Sequence, residues 1–186
     1  LDIAWIDGWV MFATAFGGFG LGWVADRVGR RPAMVWSILI YSVGTVATGF
    51  ADGYWTLLAA RVFTAIGVGG EWGIGHALVA ETYPSHLRGR AAGILQAGTP
   101  AAIALAAAFG CFCSPEIGWR ACFMLAGLPA VLVFFARRAV PDTSDLRSKE
   151  PGSFVELARG EYLYRSLALW VLVAVHLAAF WSSYSW

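Results

Sequence analysis

The sequence predicts an all-α, polytopic transmembrane helix bundle, and three observations predict it. Apolar residues make up 59% of the 186 residues and charged ones only 13%, against roughly 25% charged in soluble domains. Mean hydropathy is +0.64, and 10 Trp, 12 Phe and 6 Tyr are the reverse of the disordered signature. The 13 Lys and Arg and 12 Asp and Glu also cluster, leaving windows that match the roughly 20 residues a helix needs to cross a bilayer. A net charge of +1 with no basic run among aromatics speaks against a nucleic-acid partner, so the lipid bilayer is the expected one. Three cysteines are too few for a secreted disulfide scaffold.

The spans follow in order. Gly8 to Ala25 is 18 residues without a charge, and Pro32 to Ala51 is 20. Tyr54 to Ala80 is equally apolar but carries Arg61 and Glu71. Ala91 to Pro115 is 25 residues without a charge, Ala121 to Ala136 is 16, and Ser166 to Trp186 is 21. Each is read as a helix because a backbone in hydrocarbon must satisfy its own hydrogen bonds, and none shows the alternation of a membrane barrel. Pro100 and Pro129 fall inside spans, where membrane helices tolerate proline. The expected hairpins are Ala51 to Gly53, Glu81 to Arg90 and Glu116 to Arg120.

Orientation comes from the cations. Arg27, Arg30, Arg31, Arg88, Arg90, Arg137, Arg138, Arg147, Lys149, Arg159 and Arg165 fall on one side, and only Arg120 on the other. That bias puts the richer side in the cytoplasm of a multi-pass protein of the cytoplasmic (inner) membrane. With no initiator Met, no signal peptide and no polar flank after Trp186, the chain is expected to be part of something longer. Residues 1–136 are expected to form one bundle, 137–165 a cytoplasmic connector with Pro151-Gly152, and 166–186 the start of a second bundle.

The first cytoplasmic hairpin reads Gly22-x-x-x-Asp26-Arg27-x-Gly29-Arg30-Arg31. This resembles the signature of the major facilitator superfamily, which lies between that family's second and third helices. A carboxylate and three guanidiniums at a helix end can pair with neighbouring helix termini and be released, which suits a gate; the plainer reading is a positive-inside stop signal. The third span adds Arg61 with Gly67-x-Gly69-Gly70-Glu71-Trp72, then Glu81-x-x-Pro84-x-x-x-Arg88-Gly89 and Leu95-Gln96-x-Gly98. That series is similar to helices four and five of the metabolite:proton symporters and their sugar-porter relatives. The resemblance implies a partial major facilitator fold: helices two to six without helix one, a central loop, and the start of helix seven.

Glu71 stands out without any family. Counted from Tyr54 at about 1.5 Å per residue it lies about 25 Å along a ~42 Å helix, with Arg61 about 10 Å in. An ionisable group at that depth costs ~2.5 to 3.5 kcal/mol on insertion scales and by default marks an ion or substrate path. Glu71 is therefore expected either to couple proton entry to alternating access or to serve as a structural partner. A separation of about 80° and ~15 Å speaks against direct pairing with Arg61. Arg61 either holds a substrate carboxylate bidentately or bonds backbone carbonyls. Gln96 matches a sugar-porter position that contacts substrate, against the alternative of an interhelical amide bond.

By the same resemblance Glu81 and Arg88 form the cytoplasmic gate with Arg30 or Arg31 and Asp142. The family's P-E-S-P-R after helix six is here Pro141-Asp142-Thr143-Ser144-Asp145, which keeps a carboxylate at Asp142 and loses the arginine. Gly18-x-x-x-Gly22 and Gly69-x-x-x-Gly73 are spaced for close helix approach. His76 and His176 read as satisfied interior histidines. Cys111, Cys113 and Cys122 read as small apolar packing, with a disulfide from Cys122 to a span-four cysteine left open. The cluster from Phe180 to Trp186 reads as an interface belt. It also resembles the aromatic stretch of helix seven, where Trp181 or Tyr184 faces substrate.

The expected function is secondary active transport of a small polar metabolite, an organic anion by preference, through proton symport. Alternatives are a sugar or polyol transporter of the same fold and a non-transporting truncated half-bundle. No nucleophile, metal or phosphate-loop motif is found, so no catalytic residue, metal or cofactor is expected. A proton gradient is the expected energy source, a small molecule the partner, and the monomer the working state.

Overall fold

The computed structural model describes residues 2–131, 135, 163–169, 171–173, 175 and 179. The chain divides into two compact units, Leu1–Arg147 and Ser148–Trp186. The first holds α1 (Asp2–Val28), α2 (Arg30–Gly49), α3 (Tyr54–Thr82) and α4 (Ser85–Leu125), then a 3-10 turn over Leu128–Val131. All four helices are long and apolar enough to cross a membrane. In the second unit residues 163–169 and 171–173 are helical.

Of the buried hydroxyls, those of Ser37 and Thr48 bond to backbone carbonyls, and that of Ser42 has no hydrogen-bond partner among the described residues. Thr14, Thr45, Thr48, Thr64 and Thr82 each donate their hydroxyl to the carbonyl four residues earlier, at 2.7 to 2.9 Å. Such back-bonding satisfies a hydroxyl where no water is available. The α3 start is closed by Thr56, whose Oγ1 accepts from the Gly53 N–H at 3.0 Å and donates to the Gly53 carbonyl at 2.9 Å.

Close approach of backbones sets the packing. α3 lies along both α1 and α2, and its glycine run serves both neighbours. A Cβ on Gly69 would overlap the Thr14 carbonyl of α1, and one on Gly70 would overlap Leu21. A Cβ on Gly67 would stand 2.5 Å from the Tyr41 backbone nitrogen of α2. Small residues are what membrane helices need to pack, because dispersion, not hydrophobic burial, drives their association. Below this seam Ala25, Ala33 and Ile74 form a buried cluster with Leu21 and Met34 packed on it.

Gly29 is the whole connection between α1 and α2, at φ 102 and ψ 157, a region open almost only to glycine. Its N–H still reaches the Ala25 carbonyl at 3.0 Å. At the far end Gly49 of α2 packs on Arg120, whose guanidinium donates to the Ala51 carbonyl at 3.0 Å. The two ends of the unit thus carry separate polar ties between hairpins.

Three sequence expectations change. The connection expected over Glu116 to Arg120 is a single residue: helix runs on both sides of Gly118, which takes φ 79 and ψ 155 and divides α4. The span expected from Ala121 to Ala136 instead leaves α-helix after Leu125. Pro129 has no N–H to give the Leu125 carbonyl, and the chain tightens into the 3-10 turn. Gly127 at this bend packs on Val46. Finally, the close-approach role expected of Gly18 and Gly22 falls to Gly17 and Gly18. A Cβ on Gly17 would overlap the Ile66 carbonyl, whereas one on Gly22 would meet nothing within 4 Å.

Candidate functional site

Two constellations emerge, one at the arginine-rich end and one within α3. At the end, Arg30 joins three helices. Its Nη1 lies 2.7 Å from Asp26 Oδ1 on α1, and its Nε and Nη2 donate to Glu81 Oε1 on α3 at 2.9 and 2.7 Å. The Arg30 side chain is only 17% exposed, against 46% for Asp26 and 32% for Glu81, so the guanidinium is the inner member. Arg30 is the first residue of α2 and Glu81 lies in the last turn of α3. A cation at a helix N-terminus and an anion at a C-terminus both oppose the macrodipole. Each is disfavoured by its own helix and stabilised by the other.

The rest of the motif divides by role. Arg27 stacks on Trp23 with its guanidinium carbon 3.6 Å from the ring centroid. Arg31 makes no ion pair among the described residues. Arg88 donates from Nε to the Tyr83 carbonyl at 2.9 Å, closing the α3–α4 connection instead of reaching Glu81. Gly29 supplies the bend and Gly22 stands clear. Asp142, Trp181, Tyr184 and His176 lie outside the described residues.

Inside α3, Glu71 is half-buried and meets no hydrogen bond or ion pair among the described residues. One turn before it in α3, Gly67 packs against the backbone of Tyr41 in α2. Arg61 is half-buried and sits over the Phe123 ring at 5.6 Å. No hydrogen bond or ion pair engages its guanidinium among the described residues, which leaves the donors open. Gln96 is exposed on α4; Leu95 beside it meets α3 at Gly75, 3.6 Å from a Cβ there. Gln96 thus lies about one turn from the level of Glu71 without touching it. The three residues are therefore brought to one side of the molecule only in the loosest sense: Arg61 and Glu71 share a helix and Gln96 borders it.

His76 is exposed, not interior, among the described residues. Its Nδ1 is 3.0 Å from the Trp72 carbonyl one turn back and its ring meets Trp72 edge-on. Cys111, Cys113 and Cys122 are free thiols, and no group of three metal-ligating side chains occurs among the described residues.

The Gly22 to Arg31 turn between two apolar helices is matched along the whole length of the chain: the family model of the Major Facilitator Superfamily covers residues 1–186. The chain belongs to the Major Facilitator Superfamily. Within it, the chain is 35% identical over 177 residues to a Cupriavidus pinatubonensis protein named "Probable 4-methylmuconolactone transporter", covering 91% of this chain and 41% of that one. It is 30% identical to the sialic acid transporter NanX of Escherichia coli, with 91% and 42% covered. It is 27% identical to the niacin transporter NiaP of Acinetobacter baylyi, with 97% and 50% covered. The chain spans half or less of the length of these curated relatives.

Sequence reasoning missed Phe123 and Tyr41. Phe123 gave no signal, since nothing in the sequence says that the segment after Gly118 reaches Arg61. Tyr41 had one: Ser37, Tyr41, Thr45 and Thr48 form a hydroxyl stripe at i, i+4, i+8 and i+11 on α2, the spacing of one helix face.

Proposed function

We propose that this superfamily member is a secondary active transporter that carries a small organic anion across the cytoplasmic membrane by proton symport and alternating access. The observation that carries the reading is Glu71, a half-buried carboxyl within an apolar span that no ion pair or hydrogen bond engages among the described residues. A group left so at that depth by default belongs to an ion or substrate path. In this reading Glu71 takes up the proton and Arg61, with open donors, grips the substrate carboxylate. The Asp26–Arg30–Glu81 cluster parts and re-forms as the cytoplasmic side opens and closes. The Lys/Arg bias supports that side assignment, and the carboxylates of sialic acid and niacin, named for two relatives, support the substrate class. The transporter works as a monomer on a proton gradient with no bound cofactor.

A second reading, a sugar or polyol carrier, is favoured by Gln96, whose amide offers both donor and acceptor to hydroxyls. The test uses the protein expressed from its intact reading frame in liposomes loaded with a pH-sensitive dye. Carboxylates and sugars are added in turn, with Glu71→Gln alongside. Acidification on adding a carboxylate, lost in Glu71→Gln, is the expected outcome. Solute equilibration without proton movement sinks symport and leaves a facilitator.

A further inference from the structure

We propose that Phe123 is a positioning residue for Arg61: its ring face holds the guanidinium without taking a hydrogen bond and so leaves the N–H donors for a substrate carboxylate. The consequence for transport rests on the reading of Arg61 as the group that grips the substrate; the contact of ring and guanidinium stands in the structure.

Arg61 lies about two turns into α3 from Tyr54, inside an apolar span where a bare guanidinium is costly. Its guanidinium carbon stands 5.6 Å from the Phe123 ring centroid, within the ~6 Å over which a ring face attracts a cation. Backbone carbonyls or a carboxylate would hold the side chain as well, but they would occupy its donors. A ring face offers the negative side of its quadrupole and no lone pair. Every donor therefore remains in the planar fork that matches a carboxylate, and no hydrogen bond or ion pair takes them among the described residues.

The ring is itself held in place. Phe123 meets Trp119 edge-on one turn back, with centroids 6.1 Å apart and planes at 82°, and the Arg120 guanidinium carbon lies 4.6 Å from the Trp119 centroid. Arg120 also donates to the Ala51 carbonyl at 3.0 Å, just past the end of α2, while its own carbonyl and Met124 close on Gly49. Arg120 and Met124, one turn apart, thus face α2. Phe123, about 100° round from Met124, reaches Arg61 on α3. The φ of 79 at Gly118 lets the chain bend just ahead of this segment. Arg120, Trp119, Phe123 and Arg61 so form a continuous run of cation, ring, ring and cation, anchored at the α2–α3 turn. Arginine has a large rotamer entropy to lose when it grips a ligand. A guanidinium parked on a fixed ring has lost part of it beforehand, which is how preorganisation raises affinity.

The experiment has a spectroscopic and a kinetic arm, both on the protein expressed from its intact reading frame. In lipid nanodiscs, 4-fluorophenylalanine replaces Phe123 and its fluorine resonance is followed. The resonance is expected to move in Arg61→Gln and to stay in Arg31→Gln, which removes a charge at the other end of the bundle. A resonance that ignores Arg61→Gln overturns the proposal, whatever the kinetics. In proteoliposomes, uptake of benzoate, succinate and gluconate is measured at graded concentrations. Phe123→Leu keeps an apolar side chain and removes the ring; it is expected to raise the KM by about three- to tenfold with little change in kcat. Phe123→Tyr, which keeps a ring, is expected to restore the KM, and in an Arg61→Gln background Phe123→Leu is expected to add nothing. A KM unmoved by Phe123→Leu, or raised equally with and without Arg61, overturns the role of Phe123 and leaves the transport reading standing. No uptake of any of the three carboxylates, with the fluorine shift present, overturns the reading of Arg61 as the substrate grip, and the proposal with it.

Discussion

Replacing Gly69 by alanine is expected to loosen α1 from α3, while the same change at Gly22 is not. A Cβ on Gly69 overlaps the Thr14 carbonyl oxygen and stands 3.0 Å from the Gly18 nitrogen. Both are backbone atoms of a continuous helix, so no side chain can swing aside. A carbon–oxygen contact settles at about 3.3 Å or more, and relieving the overlap takes a parting of more than about 1 Å. A gap of that order forfeits up to about half of each dispersion contact along the seam, and overpacking of this kind costs about 1–3 kcal/mol. Alanine's better helix propensity returns up to ~1 kcal/mol. The net loss of about 1–2 kcal/mol is roughly a five- to thirtyfold shift in the folding equilibrium. At Gly22 only the propensity gain remains, since a Cβ there meets nothing within 4 Å. SDS titration in mixed micelles, followed by far-UV circular dichroism, reads both. Equal midpoints for Gly69→Ala and Gly22→Ala would refute the packing argument.

Other perturbations test the ends and the substrate path. Gly29→Ala forces a Cβ onto φ 102 and should cost about 1–3 kcal/mol, visible as a lower thermal midpoint. A double-mutant cycle of Arg30→Gln and Glu81→Gln should return a coupling of about 0.5–1.5 kcal/mol that shrinks as salt is added, because the pair is partly exposed. Independence of the two would mean that the ion pair contributes nothing. Arg61→Gln should raise the KM for a carboxylate substrate by about tenfold or more with little change in thermal midpoint, and uptake assays at graded concentrations separate the two.

How much was legible beforehand differs by level. Helix 54–82 could be read almost to the residue, because an apolar window between a Gly-containing turn and a Pro84 turn has few other conformations. Gly118 and Pro129 were harder. A membrane span tolerates either residue when neighbours re-satisfy the freed backbone groups, so the effect of each depends on packing that a linear pattern does not contain. The signature around Asp26 to Arg31 was recognisable, and so was the partnership of Glu81 with Arg30 or Arg31; which arginine takes it, and that Arg88 does not join, were not. Arg88 sits seven residues from Glu81, but its guanidinium goes to the Tyr83 carbonyl, and Arg30, fifty-one residues away in sequence, takes Glu81.

The chain's composition, its charge-free windows and its motif spacing by themselves determined a membrane helix bundle of the major facilitator type and singled out Arg61 and Glu71. Those features follow from a single physical demand, that a backbone in hydrocarbon bond to itself and that charges gather at the ends. Only the tertiary structure decided which glycine touches which helix, that it is Arg30 which Asp26 and Glu81 share, and that Arg61 sits over Phe123. Contacts between helices depend on phase, crossing and depth together, and small residues spaced alike in the sequence, such as Gly18, Gly22, Gly69 and Gly73, receive different neighbours once three helices must share one seam.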